Sequence, residues 1–153
     1  MGIEGLNELR RWAAQVHYRG QTIILTNGCF DVLHGGHVQL LKSARLLGDH
    51  LIVALNSDRS IRRLKGPGRP IYPQKSRKLL LEAIRYVDRV VLFNAESELE
   101  ALVKVLRPDV LVKGGDWKGQ RLTGERWAAR VAFIPHRCPE SSTKVIARMR
   151  VSS

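Results

Sequence analysis

Two histidines, His34 and His37, stand three positions apart with Gly35 and Gly36 between them. They close a run reading Thr26-Asn-Gly-Cys-Phe-Asp31-Val-Leu-His34-Gly-Gly-His37, which follows an apolar stretch. A helix starting near Gly36 would leave its first N–H groups without partners inside it, and these favour an anion. His34 and His37 would add side-chain donors to that anion. Gly28, where the chain leaves the apolar stretch, would let a ligand approach the backbone closely, and Gly35 and Gly36 would remove side chains that block it. This arrangement suits displacement at phosphorus, which needs positioning and charge stabilisation more than a protein nucleophile. Losing one preorganised donor costs roughly 3 kcal/mol of barrier, against less than about 1 kcal/mol for an exposed contact to the helix dipole. The imidazoles should therefore dominate. The other readings of such a pair are a metal site or two solvated side chains. Zinc would want a third ligand; Asp31 is available, but there is no HExxH or similar frame.

Charge points the same way. Twenty-six Lys and Arg face fourteen Asp and Glu in 153 residues, a net charge of +12. Such a field favours nucleotides, phosphorylated metabolites, nucleic acid or an anionic membrane surface. Between Arg59 and Lys78 lie eight basic residues and no acidic one, across a loop (65–74) with three prolines and two glycines. That stretch reads either as a cationic flap over a polyanionic substrate pair or as a solvated basic surface. Cys29 and Cys138, the only cysteines, form no CxxC pair or Cys/His zinc pattern and read as reduced thiols. Met1 is followed by Gly-Ile-Glu-Gly, with no basic n-region and no long apolar run; position 6 is Leu, which does not fit a myristoylation signal. A cytoplasmic location without a membrane partner is the expectation.

The elements that must carry these residues alternate. Apolar runs at Thr22–Thr26, His50–Leu55, Arg89–Phe93, Val110–Val112 and Val131–Ile134 read as strands. Helical spacing covers Val38–Leu47, Ser76–Tyr86, Ser97–Leu106 and Ser141–Arg150. Strands apolar on both faces predict an open parallel five-stranded sheet with helices on both faces. Ligands bind beyond the carboxyl ends of such strands, which directs attention to the loops after the first, second, fourth and fifth. Residues 1–20 are expected to form an N-terminal helical extension, from Ile3, Leu6, Leu9 and Ala13, and residues 21–153 the main domain.

Gly28-Cys-Phe-Asp31 followed by His34-Gly-Gly-His37 resembles the cytidylyltransferase-like branch of the HxGH nucleotidyltransferases, over about residues 22–150. Asn56-Ser-Asp58, Leu64-Lys-Gly-Pro-Gly-Arg-Pro70, Ile84-Arg-Tyr-Val-Asp88, Lys113-Gly-Gly-Asp-Trp117 and Ser141-Ser-Thr-Lys144 agree with it. The second and fourth of these, with Asn-Ser-Asp, look most like the adenylyltransferase domains of ADP-heptose synthesis. The resemblance implies a Rossmann-like α/β fold. It also implies AMP transfer from ATP to D-glycero-β-D-manno-heptose 1-phosphate, with pyrophosphate released and Mg²⁺ held through the substrate phosphates. His34, His37 and Lys65 would be catalytic. Gly28, Cys29, Phe30, Asp31, Gly36, Lys113, Gly114, Asp116, Trp117, Arg137, Ser141, Ser142 and Thr143 would serve the nucleotide, Asp31 by bracing its loop. Asn56, Asp58, Arg63 and Arg77 would serve the acceptor. A homodimer is implied by analogy. The family's usual Arg-x-x-Gly-Ile-Ser or Gly-Arg-Ser-Thr-Thr is replaced here by His136-Arg-Cys-Pro-Glu140-Ser141, which sets an unexpected negative charge near phosphate.

Parts of the chain, notably Arg77-Lys-Leu, also resemble CTP-dependent glycerol-3-phosphate cytidylyltransferases, so CTP is the alternative donor. Nucleic-acid binding is the rival of a different class. It lacks a zinc-finger spacing, an RRM signature or an evident helix-turn-helix, and Trp12, Trp117 and Trp127 do not interleave with the basic run. A class I tRNA synthetase relative would need a longer chain and a second, lysine-rich loop.

Overall fold

The computed structural model describes residues 3–151; the reading of the Met1-Gly2 start lies outside the described residues. Five strands, β1 (Ile23–Gly28), β2 (His50–Asn56), β3 (Arg89–Phe93), β4 (Val110–Gly114) and β5 (Arg130–Ile134), form one parallel sheet in the order β3-β2-β1-β4-β5. Six helices accompany them among the described residues: α1 (Ile3–Tyr18), α2 (Gly35–Arg45), α3 (Asp58–Lys65), α4 (Gln74–Glu82), α5 (Glu96–Leu106) and α6 (Ser142–Val151). None is long and apolar enough to cross a membrane.

Side chains alternate along a strand, so each apolar run feeds two faces. Ile23 and Leu25 join Ile52, Ala54 and Leu111 beneath α1 and α5, where Leu9, Ala13, Val16, Leu102 and Leu106 are buried. Ile24 meets Leu51 and Val110 in register and packs with Leu41, Ala44 and Leu81 of α2 and α4 on the other face. Full burial of each such side chain is worth about 1.5–3 kcal/mol. The extension is thus part of the core through α1.

One element departs from expectation. Residues 58–65, for which the sequence suggests no element, form α3: Ser57 caps it by accepting from Ser60 N–H, Asp58 sits in its first turn, and Gly66 at φ 90° ends it. Only Ser60 and Ile61 of α3 are buried, so there is no apolar stripe to read. The chain moves outward from β1 to β2 and β3, then returns to place β4 on the opposite side of β1. The switch point therefore lies between β1 and β4, where ligands bind in open α/β sheets.

Candidate active site

The loop leaving β1 is held in an unusual shape. Phe30 and Val32 both have positive φ, 45° and 51°, a region non-glycine residues seldom occupy. The Phe30 ring folds back over Gly28, where a Cβ would come within 3.1 Å of it. Between them Asp31, 1% exposed, accepts from the N–H groups of Ile71 (2.9 Å) and Tyr72 (3.0 Å) and from Arg69 Nε (2.7 Å). Burial alone would raise the Asp31 carboxyl, but those donors outweigh it and hold it below the usual range.

His34 is the N-cap of α2. Its Nδ1 accepts from Gly36 N–H at 3.1 Å, which assigns the proton to Nε2. A Cβ on Gly36 would come within 2.9 Å of that ring, so Gly36 clears space for His34 itself. The His34 and His37 rings stack, with centroids 3.9 Å apart and planes inclined by 29°. The His37 ring also leans on Phe30. Burial, then the neighbouring His34 and Lys65, push His37 down to about 3, and burial lowers His34 against the pull of Glu140. Both rings are neutral near pH 7, and the buried Nδ1 of His37 has no partner among the described residues.

Across the switch point, Lys113 on β4 is 8% exposed, donates to the Asn27 carbonyl (3.1 Å) and lies 4.3 Å from the Trp117 ring centroid. Burial brings it down to about 8 although Cys29, Asp116 and Glu96 favour its charge. Beyond it, His136 Nε2 and Asp116 Oδ1 pair at 2.7 Å over Gly114, which has no room for a Cβ.

These groups enclose a cavity of about 780 Å³. Its β1 wall holds Gly28, Cys29, Phe30, Asp31, His34, Gly36 and His37; Asn56 and Lys65 come from the β2 side. Lys113, Asp116 and Trp117 come from β4, and Ser141, Ser142 and Thr143 from the start of α6. Ser142 Oγ donates to the Asp31 carbonyl, tying the start of α6 to the first loop.

Five expected residues do not line the cavity. Arg77 is buried and committed to protein groups: it donates to the carbonyls of Tyr72 (3.0 Å), Cys29 (2.7 Å) and Asn56 (2.8 Å) and to Asp58 Oδ1 (2.8 Å). Asp58 is thereby its partner and does not line the cavity. Arg63 turns outward to the Asn94 carbonyl. Arg137 is exposed beside a small hollow with Gln39 and Pro135. Gly114 shapes the site through the His136–Asp116 contact without lining it. Conversely, Phe93 and Glu96, from the end of β3 and the start of α5, line the cavity though the loop after the third strand was not expected to. The run Val-Val-Leu-Phe followed by Glu two residues past Asn94 was the available signal.

Among the described residues no three His, Cys, Asp or Glu side chains gather to hold a metal. A cation with a full set of protein ligands does not fit. One carried on substrate phosphates and touching a single carboxylate does, since Glu140 lines the cavity beside α2.

A family model described as cytidylyltransferase-like matches residues 25–148. The chain is 46% identical over 148 residues to the bifunctional protein HldE of Nitratiruptor sp., covering 97% of this chain and 32% of that one. It is 49% identical over 155 residues to the bifunctional protein HldE of Pasteurella multocida, again covering 97% and 32%. The chain thus spans about a third of the length of these curated relatives. Among solved structures, the lipopolysaccharide core biosynthesis protein of Thermoplasma volcanium superposes with a TM-score of 0.62 at 26% identity, over 79% of this chain and all of that one. Pantoate–β-alanine ligase of Francisella tularensis gives 0.61 at 13% identity, covering 95% of this chain and 75% of that one, a likeness of fold alone.

Proposed function

This chain belongs to the cytidylyltransferase-like family, and from that premise we propose that it transfers a nucleoside monophosphate, AMP from ATP, to D-glycero-β-D-manno-heptose 1-phosphate. The observation that carries the reading is the pair of stacked, neutral imidazoles at the start of α2, opening into a cavity at the β1/β4 switch point. Nucleotidyl transfer asks for donors at the charge that develops on phosphate, in a site preorganised to receive it. His34, fixed by its cap with Nε2–H free, is such a donor. His37 beside it takes up a proton once an anion offsets the burial that keeps it neutral.

The acceptor's phosphate oxygen attacks the α-phosphorus in line. The bond to the bridging oxygen of the β-phosphate breaks, and pyrophosphate leaves. Lys65 meets the phosphates from the β2 side, and Ser141, Ser142 and Thr143 meet them at the start of α6. Lys113 and Trp117 face the nucleoside. When bound through the triphosphate, Mg²⁺ would supply charge stabilisation for the leaving group. We place the reaction in the cytoplasm, in a homodimer, with no nucleic-acid or membrane partner.

The test is a matrix of four nucleoside triphosphates against heptose 1-phosphate, glycerol 3-phosphate and related esters, read by pyrophosphate release. ATP with heptose 1-phosphate should exceed every other pair. Preference for CTP with glycerol 3-phosphate would replace this substrate assignment, and no release from any pair would remove the reading.

A further inference from the structure

Four carboxylates line the cavity: Asp31, Glu96, Asp116 and Glu140. Three are committed. Asp31 is saturated by Ile71, Tyr72 and Arg69, Asp116 is paired with His136, and Glu96 accepts from Thr123. Among the described residues Glu140 takes its one side-chain hydrogen bond from the Cys138 thiol, at 2.8 Å, a weak donor.

Its position is telling. A Cβ on Gly35 would stand 3.3 Å from Glu140 Oε2, and one on Gly36 would stand 3.4 Å from the Glu140 carbonyl. The carboxylate therefore lies over the first residues of α2, where a helix start draws an anion. A triphosphate aimed at the same place meets a resident negative charge. Either the carboxylate leaves, or a cation stands between the two. The segment is folded on itself and tied to the first loop at one point. Lys144 Nζ donates to the Pro139 carbonyl (3.0 Å), Lys144 N–H donates to Ser141 Oγ (3.3 Å), and Ser142 is bonded to Asp31. Mg²⁺ keeps several waters and is commonly bound by one or two carboxylates plus substrate phosphates, which matches one uncommitted carboxylate at a phosphate seat.

We propose that Glu140 is a protein ligand of the divalent cation that arrives with the triphosphate, direct or through one of its waters. The proposal rests on the nucleotidyl-transfer reading above. It makes Glu140 harmful to nucleotide binding without metal and helpful with it.

The experiment measures calorimetric affinity of the full chain for the α,β-methylene analogues of ATP and CTP, in EDTA and in saturating Mg²⁺, for the wild type and Glu140→Gln. Mn²⁺ binding is followed by electron paramagnetic resonance with and without the analogue that binds better. In the wild type, Mg²⁺ should tighten the analogue and the analogue should recruit Mn²⁺. In Glu140→Gln, recruitment of Mn²⁺ should weaken by roughly tenfold or more, while binding in EDTA improves. Glu140→Asp should recover part of the recruitment. If Glu140→Gln binds the analogue more tightly at every Mg²⁺ concentration with Mn²⁺ recruitment unmoved, the carboxylate is only a displaced anion and the proposal falls. If the wild type binds neither analogue, with or without metal, the nucleotidyl-transfer reading falls and takes the proposal with it.

Discussion

The two ends of the sheet are finished differently. At the amino end, each carboxylate closes an open backbone group: Asp49 accepts from Thr22 N–H (2.8 Å), Asp88 from Leu51 N–H (2.7 Å), and Asp109 from Ile23 N–H (2.7 Å). At the carboxyl end lie two left-handed non-glycine residues, a buried lysine, a buried imidazole nitrogen with no partner among the described residues, and a carboxylate served by a thiol. One end is arranged for stability. The other keeps binding capacity unspent at a cost in stability, as functional sites do.

The strongest way to break this contrast is to replace both histidines by Ala. Turnover, read as pyrophosphate release, should drop by at least roughly a thousandfold, while the urea midpoint moves little, because the main structural loss is the His34 cap, about 1 kcal/mol. A variant that keeps turnover would end the functional reading, and one that unfolds would place these rings among the structural residues.

Arg77→Met attacks the frame beneath the same end. It strands three carbonyls and Asp58, and should cost about 3–5 kcal/mol in denaturant unfolding. A loss confined to activity would show that Arg77 reaches substrate after all.

A pH series sharpens the comparison. His37 is neutral in the fold down to about 3, whereas the unfolded imidazole takes a proton below about 6.5. The unfolded state then binds more protons, so stability should fall as pH drops from 6.5 toward 3. The slope in the urea midpoint should flatten in His37→Asn and should flatten with bound nucleotide in the wild type.

The smallest effect is expected at the amino end. Asp109→Ala frees the Ile23 N–H and should cost about 1 kcal/mol, with kcat and KM unchanged.

Much of this fold is legible in the sequence. The five strands announce themselves as apolar runs, and β3 spans the expected residues, since tertiary burial and local composition agree there. The His34–His37 spacing locates the turn into α2. What sequence could not convey was whether a basic side chain faces substrate or core. Arg77 and Leu81 share one buried face of α4 at i, i+4, but an arginine in an apolar stripe looks like a phosphate ligand when its neighbours are also basic. Helix α3 was missed because six of its eight residues are not buried; the Ser57 cap and the Gly66 stop were the only marks of it.

The Arg77 guanidinium reaches the carbonyls of Cys29, Asn56 and Tyr72, three segments far apart along the chain. Transplanting any one of them from a relative would leave the clamp reaching for a misplaced oxygen, so the three have to be exchanged as a set. On the opposite wall the His136–Asp116 pair joins Lys113–Trp117 to the stretch before α6, so changes of substrate preference by design can be attempted there by exchanging those two segments together.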